Sequence, residues 1–303
     1  MRLITIVFVA TVAWGQTPAP SSASSPNNCI TDTSAGDHTF TCEGLRVDAR
    51  VPAACTRPGC GLILEVHGDT GTGLLEDAHT RLRDLGARAG FIVIAPTGPA
   101  FAQGVPGSTW SPANDLTLVD IVRQFASAFA ADPKKIHVTG FSRGGYTTWR
   151  LACDHADVFA SAAPAAAGVT QNGPCFNGSH VPSRRIPILF LMGRTDANVT
   201  YANTSKLRDA AIAAYHATGP AMIAGDASYT HRRWTSADGG LIEVFEHAYE
   251  NPPDGSWAGA KGHCIPGSTV DPKAPQYGLP CKGPTAFNWG EEVVRFFQAH
   301  PRN

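Results

Sequence analysis

Residues 135–146, which read Lys-Ile-His-Val-Thr-Gly-Phe-Ser-Arg-Gly-Gly-Tyr, decide the fold. An apolar run leads into Gly140-Phe141-Ser142-Arg143-Gly144, a G-x-S-x-G motif, and a helix-like stretch follows it. A sharp turn from a strand into a helix presents a serine hydroxyl to a base and a substrate together, and the flanking glycines permit close backbone approach. The helix N-terminus also favours a developing negative charge. The pattern therefore predicts that Ser142 is a nucleophile.

Short apolar runs alternate with helical patterns on both sides of this stretch. The helical patterns cover residues 116–129, 203–216 and 286–300. Because the apolar runs are nearly continuous, they are typical of strands buried on both faces of a parallel sheet. The order of elements predicts an α/β fold with a mostly parallel, doubly wound sheet and flanking helices. The predicted strands are residues 61–67, 91–96, 136–140, 160–167, 186–193 and 241–247.

A serine nucleophile needs a base and an acid, which follow it in the order acid, then histidine, in folds of this kind. Asp196 lies in a loop directly after an apolar run, so we expect it at the carboxyl edge of the sheet. His263 lies in a loop between the last strand and the last helix, and we predict that it is the base. His247, which closes that strand, is the alternative. Asp196 would orient the imidazole and stabilise its charged form.

The oxyanion formed during attack on an ester needs two backbone donors. One is the N–H of Arg143, which directly follows the predicted nucleophile. The other is expected in the loop after His67-Gly68, at the end of an early strand. We assign it to Asp69, with Thr70 as the alternative, and expect His67 to have a structural role.

Two tryptophans lie in loops that we expect on the same side of the sheet as the site. Trp110 follows an early strand, and Trp257 precedes His263. Amphipathic rings of this kind stack on polymers and aromatic esters in binding sites. Trp110 and Trp257 are therefore candidate substrate contacts, with ordinary packing as the alternative for each.

The composition limits the classes of protein to which the chain can belong. Hydrophobic residues make up 43% and charged residues 16% of 303 residues, which is enough for a large core and excludes a disordered chain. The net charge is −1, from 24 basic and 25 acidic side chains. Without a basic excess, a nucleic-acid partner is not expected.

The N-terminus has the pattern of a signal peptide. Met1-Arg2 is followed by an apolar run to Trp14, and residues 13–15 form a small-x-small cleavage site. We predict a signal peptide over residues 1–15, a Pro/Ser-rich tether over 16–28 and one catalytic domain over 29–303. The mature protein is expected to be secreted, extracellular or periplasmic, without membrane contact and monomeric.

Eight cysteines fit an exported protein with disulfides. Their spacings contain no C-x-x-C pair or metal-type ladder, so no metal or cofactor is expected. Proximity along the chain suggests the pairs Cys29–Cys42, Cys55–Cys60, Cys153–Cys175 and Cys264–Cys281.

Four of these motifs together resemble one family. They are His67-Gly68 after a strand, residues 132–145 around the serine, the Gly193-x-x-Asp196 loop and the Gly-His-Cys-Ile-Pro-Gly loop of residues 262–267. Over residues 43–300 the chain resembles the exported polyhydroxybutyrate depolymerase and feruloyl esterase group of α/β-hydrolases. Arg143 stands where that group more often has a small residue.

The resemblance implies a serine carboxylesterase of the α/β-hydrolase fold with the triad Ser142, Asp196 and His263. It implies a polymeric or small ester as substrate, cleaved through an acyl-enzyme. A polyhydroxybutyrate-type depolymerase is the leading expectation, and a feruloyl or acetyl-xylan-type esterase is the alternative. A serine peptidase or a non-catalytic binding protein on the same fold would belong to other classes of protein. The filled triad argues against a binding protein, and the length leaves no room for the gating domain usual in such peptidases.

Overall fold

The secondary structure consists of strands and helices in alternation along most of the chain. The computed structural model describes residues 28–302, apart from residues 104, 170–174, 179 and 274–278. The strands are β1 (Gly36–Cys42), β2 (Leu45–Val51), β3 (Gly61–Val66), β4 (Phe91–Thr97), β5 (Ala100–Ala102), β6 (Val105–Ser108), β7 (Ile136–Phe141), β8 (Ser161–Ala165), β9 (Ile188–Gly193), β10 (Thr218–Gly225), β11 (Tyr229–Thr235) and β12 (Leu241–His247). The helices are α1 (Gly73–Thr80), α2 (Leu82–Arg88), α3 (Asp115–Ala128), α4 (Arg143–Asp154), α5 (Tyr201–Ala214) and α6 (Trp289–Ala299).

One ten-stranded sheet organises these elements, in the order β1-β2-β4-β3-β7-β8-β9-β12-β11-β10. The central strands from β4 to β12 pair in parallel, and two antiparallel strands extend the sheet at each end. The six strands predicted from the sequence are these central ones, which confirms the predicted α/β-hydrolase fold with its mostly parallel sheet. Because they are parallel, their carboxyl ends all meet at one edge of the sheet.

The sheet is covered on both faces, which explains the continuous apolar runs. In β3, Leu62 and Leu64 belong to a core on the side of α3, where they join Leu118. Ile63 points to the opposite face and belongs to a second core with Phe297 of α6. Full burial of each such side chain contributes about 1.5–3 kcal/mol. A strand with helices on both sides therefore needs apolar residues at successive positions.

The strands at the sheet ends were not predicted. The β1 strand has exposed and buried residues in near alternation, and most of β10 is exposed. The strands β1, β2 and β11 lack the continuous apolar runs on which the prediction depended, and β10 has such a run at residues 220–224 but is mostly exposed. A small two-stranded ribbon, β5 with β6, also lies outside the main sheet.

Four disulfides join the cysteines in the pairs expected from their proximity: Cys29–Cys42, Cys55–Cys60, Cys153–Cys175 and Cys264–Cys281. The predicted signal peptide and all but the last residue of the predicted tether lie outside the described residues. Among the helices that the structure describes, none has the length and apolar character needed to span a membrane.

Candidate active site

Ser142 occupies the turn between β7 and α4, at the carboxyl edge of the sheet. Its backbone has φ 53° and ψ −117°, a conformation that non-glycine residues rarely adopt. The Ser142 N–H donates to the carbonyl of Ala165 on β8 at 2.9 Å, which holds the turn against the neighbouring strand. Such a turn exposes the serine side chain between strand and helix, as the motif predicted.

Two glycines of the motif allow this turn to pack tightly. A Cβ on Gly144 would lie 1.8 Å from the Val66 carbonyl oxygen, and one on Gly140 would lie 2.5 Å from the same oxygen. The start of α4 thus lies directly on the end of β3. Any side chain at Gly144 would push the helix away from the strand that leads into the predicted oxyanion loop.

Asp196 and His263 form a buried pair at the same edge. Nδ1 of His263 lies 2.7 Å from Oδ2 of Asp196, and the other carboxylate oxygen accepts from the N–H groups of Asn198 and Val199, each at 2.8 Å. The Asp196 side chain is fully buried, and that of His263 is 2% exposed. Because the carboxylate accepts from Nδ1–H, the lone pair of Nε2 is left available to accept a proton.

Close backbone contacts bring the two loops together. Asp196 and Lys261 form an isolated antiparallel bridge, and a Cβ on Gly193 would lie 2.2 Å from the carbonyl oxygen of Gly262. The His263 ring packs against Phe141, with ring centroids 4.8 Å apart. Phe141 directly precedes Ser142 in the chain, so the imidazole contacts the neighbour of the predicted nucleophile.

His247, the alternative base, has a different environment. It is 1% exposed at the end of β12, and burial lowers its pKa to about 4. Its ring stacks on Tyr249 at 5.5 Å, and its Nδ1 has no hydrogen-bond partner among the described residues. The carboxylate of Asp196 bonds to His263 instead, so the geometry favours His263 of the two histidines.

The loop after β3 distinguishes the two candidate oxyanion donors. The Thr70 N–H donates to the Ser108 carbonyl at 2.8 Å, and the Ser108 N–H donates back to Gly71 at 3.2 Å. The Thr70 amide is therefore already used within the protein. Asp69 is the remaining donor of the two that the sequence suggested.

His67 has the structural role that we expected. The Gly98 N–H donates to its Nε2 at 3.0 Å, so Nδ1 holds the proton and donates to the Gly68 carbonyl at 2.7 Å. Burial lowers the His67 pKa to about 4, which keeps the ring neutral. The ring thereby ties the end of β3 to the loop after β4.

Trp110 is not placed for the substrate contact that we considered. Its side chain is only 2% exposed and packs against His67, with ring centroids 5.0 Å apart. A ring enclosed against His67 in this way cannot stack on a ligand. Trp257 is half-buried against the core of the α6 face, and its contact with substrate stays a prediction.

Sequence reasoning missed an ion pair between the two loops that contain the candidate oxyanion donors. Nε of Arg143 lies 3.1 Å from both carboxylate oxygens of Asp69. Thr109 also donates its hydroxyl to Asp69. The signal was present, since both residues had been singled out for their backbone N–H groups, but their side-chain contact spans 74 residues of sequence.

Buried acidic groups lie behind the same loop. Burial, with Asp77 and Glu76 nearby, raises the pKa of Glu65 well above its usual value. Thr80 donates its hydroxyl to Glu65, and Oε2 of Glu76 accepts from the Gly68 N–H at 3.3 Å. These side chains connect β3, α1 and the loop after β3 to one another. The predicted strand over residues 61–67 placed Glu65 in a buried element, but no sequence pattern predicted its contacts or the burial of Glu76.

A serine at a strand-to-helix turn, with an Asp-His pair at the same sheet edge, is the arrangement of an α/β enzyme of the hydrolase class. The chain belongs to the alpha/beta hydrolase family, whose sequence profile matches residues 66–272.

Curated relatives match shorter parts of the chain. Feruloyl esterase B of Piromyces equi is 33% identical over 111 residues, which are 33% of this chain and 20% of the relative. The bifunctional acetylxylan esterase/xylanase XynS20E of Neocallimastix patriciarum is 28% identical over 147 residues, 48% of this chain and 20% of the relative. The matched part thus spans about a fifth of the length of each of these relatives.

Solved structures show the same fold at low sequence identity. The acetyl xylan esterase from Aspergillus awamori aligns with a TM-score of 0.55 and 20% identity, over 70% of this chain and 94% of its own. A thermostable esterase aligns with a TM-score of 0.52 and 19% identity, over 88% of this chain and 62% of its own. At these identities the likeness concerns the fold alone.

Proposed function

We propose that this protein is a serine carboxylesterase that removes acyl groups from plant cell-wall polysaccharide. The observation that supports ester hydrolysis most strongly is the 2.7 Å hydrogen bond from His263 to Asp196, at the sheet edge where the turn presents Ser142. The names of the relatives support the substrate class, since they are a feruloyl esterase and acetylxylan esterases. They favour the alternative in our sequence analysis over a polyester depolymerase.

The first half of the reaction forms an acyl-enzyme. Oγ of Ser142 attacks the ester carbonyl carbon while Nε2 of His263 takes the hydroxyl proton. The carbonyl oxygen becomes an oxyanion that accepts from the N–H groups of Arg143 and Asp69, where each donor contributes about 2.7–4 kcal/mol in comparable sites. The bond to the leaving alcohol then breaks, and Nε2 of His263 returns the proton to the alcohol oxygen.

The second half releases the acid. A water molecule attacks the acyl carbon while His263 takes one of its protons, and the same oxyanion donors act again. Oγ of Ser142 leaves with the proton from His263, which restores the free enzyme and a carboxylic acid. Asp196 stays ionised throughout and stabilises the imidazolium that forms twice in each cycle.

Exposed apolar side chains beside the oxyanion loop suit a bulky substrate. Phe101 of β5 is 40% exposed, and β5 pairs with β6, whose Ser108 holds the Thr70 amide. Leu74, at the start of α1, is 39% exposed. An aromatic acid or a polysaccharide bound at Ser142 could rest on these groups.

A panel of four esters tests the proposal: methyl ferulate, acetylated xylan, p-nitrophenyl acetate and polyhydroxybutyrate. We expect hydrolysis of at least one cell-wall ester, and a loss of several orders of magnitude in the Ser142→Ala variant. Activity retained by that variant would overturn Ser142 as the nucleophile. Hydrolysis of polyhydroxybutyrate with neither cell-wall ester cleaved would overturn the substrate class.

Phe101→Ala tests the apolar surface. We expect a higher KM for methyl ferulate and little change for p-nitrophenyl acetate, because only the larger acyl group reaches the ring. Met222→Ala is the matched control, since Met222 is 62% exposed on β10 at the far end of the sheet. Equal effects of both variants on both esters would exclude Phe101 from the acyl site.

We also propose that the protein is exported. The apolar N-terminal run and the four disulfides support this, because disulfides persist in oxidising compartments. Expression with the native N-terminus should yield a mature chain that starts at Gln16, which mass spectrometry of the culture medium and periplasm measures. A cell-retained chain that begins at Met1 would contradict the proposal.

A further inference from the structure

The two segments that contain the candidate oxyanion donors are joined by an ion pair between the side chains of Asp69 and Arg143. Asp69 lies in the loop after β3, and Arg143 is the first residue of α4. Nε of Arg143 lies 3.1 Å from both oxygens of the Asp69 carboxylate. The same carboxylate accepts from the hydroxyl of Thr109, in the loop after β6. Two loops and the first residue of α4 therefore meet at one acidic side chain.

The Asp69 carboxylate is a side-chain link between the two donors, and other contacts hold its loop on either side. Two hydrogen bonds hold the loop after β3 in place. The Gly68 N–H donates to Glu76 of α1, and the Thr70 N–H donates to the Ser108 carbonyl of β6. Neither contact reaches α4. The Asp69–Arg143 pair crosses from that loop to the helix, and together with the close packing of Gly144 on the Val66 carbonyl it limits the distance between the Asp69 N–H and the Arg143 N–H.

We propose that the side chains of Asp69 and Arg143 are positioning residues, which hold the two oxyanion donors of the proposed esterase in register. This inference rests on the proposed function. Oxyanion stabilisation depends on donors that are already placed where charge develops, and a misplacement of about 1 Å costs about a hundredfold in rate. An ion pair between the two donor residues limits such movement at the point where it matters most.

Because the Asp69–Arg143 ion pair is partly exposed, an effect on oxyanion positioning can be distinguished from an effect on the stability of the fold. The side chains of Arg143 and Asp69 are 18% and 31% exposed, and ion pairs near solvent contribute little to the stability of the fold. Loss of the pair should therefore reduce the rate while the melting temperature changes little. A purely structural contact would reduce both together.

The test uses Asp69→Ala, Asp69→Asn, Arg143→Gln and the double variant Asp69→Ala/Arg143→Gln, all of which keep the backbone N–H groups. For Asp69→Ala we expect kcat to fall about tenfold to a hundredfold with KM nearly unchanged. The affinity for a trifluoromethyl ketone, whose adduct with Ser142 resembles the oxyanion, should fall in parallel. Asp69→Asn should recover part of the rate, because its amide oxygen can still accept from Nε of Arg143.

The double variant and a control make the result specific. If the two side chains act through each other, the double variant should be no slower than the slower single variant. Asp238→Asn is the matched control, because Asp238 pairs with Nε of Arg185 at 2.9 Å and belongs to the turn before β12, at the opposite edge of the sheet. We expect it to have wild-type kinetics.

Three outcomes would overturn the inference. These are wild-type kcat in Asp69→Ala, additive losses in the double variant, or a rate loss with unchanged affinity for the ketone. A wild-type chain that neither hydrolyses any ester nor reacts with a fluorophosphonate would instead overturn the proposed function, and with it this inference. An active wild type with fully active variants would overturn the positioning role alone.

Discussion

The carboxylate of Asp196 offers the sharpest test of the proposed triad. In Asp196→Asn, the amide oxygen can keep the two bonds from the N–H groups of Asn198 and Val199, each 2.8 Å in the native protein. The amide NH2 then faces Nδ1 of His263, where the native protein has an acceptor at 2.7 Å. Two donors cannot bond, so the imidazole proton moves to Nε2, and the base can no longer accept from Ser142.

The size of the effect follows from this change of tautomer. Triads with this substitution lose about 10⁴-fold in kcat, which corresponds to about 5 kcal/mol in the activation free energy. The fold should tolerate it, because the amide satisfies the same backbone groups. Asp196→Ala is the informative comparison. It also removes the acceptor of the Asn198 and Val199 N–H groups, and the loss at the buried Val199 costs about 1–3 kcal/mol, so its melting temperature should fall as well.

The assay measures kcat on p-nitrophenyl acetate, the rate of fluorophosphonate labelling and the melting temperature for both variants. We expect Asp196→Asn to lose rate and labelling with a nearly native melting temperature, and Asp196→Ala to lose all three. A folded Asp196→Asn variant within about tenfold of wild-type kcat would refute the reasoning, since the orientation of His263 would then not depend on this carboxylate.

Three further predictions concern the two candidate bases, a buried histidine at the start of β7 and the disulfide next to His263. His263→Ala should abolish labelling of the nucleophile by a fluorophosphonate while His247→Gln leaves it near the wild-type rate, and the reverse pattern would make His247 the base. Burial lowers the pKa of His137 to about 3, so the unfolded state binds more protons than the folded state between about pH 3 and 6.5. The stability that the neutral, buried His137 contributes is therefore complete above pH 6.5 and is lost as the pH falls. Glu65, with its raised pKa, changes stability with pH in the opposite direction, so the measurement compares wild type with His137→Gln. The free energy of unfolding in urea is measured for both proteins at pH 7 and pH 5. An identical change between the two pH values in both proteins would contradict the prediction. Cys264→Ser opens the disulfide next to the base, and we expect kcat to fall more than the loss of about 3 kcal/mol in stability suggests, whereas full activity in the folded variant would show that the bond does not position the base.

The sequence alone was sufficient to predict the central sheet and to propose the triad candidates. The six parallel strands are buried on both faces, so their residues form apolar runs that are visible without any tertiary information. The turn around Ser142 has a local motif because Gly144 packs against the carbonyl of Val66, which excludes every side chain. Asp196 and His263 follow from chain order, since loops after parallel strands meet at one edge.

The exposed strands and the surroundings of the site required the tertiary structure. Strand β10 contains a short apolar run at residues 220–224 but faces solvent over most of its length, so hydrophobicity alone did not identify it as a strand of the sheet. Trp110 was considered as a substrate contact because its loop leads to the site, but only three-dimensional packing shows that the ring is enclosed against His67. Nothing in the sequence decided between Asp69 and Thr70, because the choice depends on the bond from Thr70 to Ser108.

The same distinction applies to the charges. In the sequence, Asp69 and Arg143 are ordinary charged residues, and their pairing across 74 positions exists only because β3 ends and α4 begins at the same edge. Glu65 likewise has the same letter as a surface acid, yet burial beside other carboxylates raises its pKa. Motifs and apolar periodicity are local properties of the chain, and they determined the fold and the triad candidates. Burial and long-range electrostatic contacts depend on which segments the fold brings together, so only the tertiary structure could decide them.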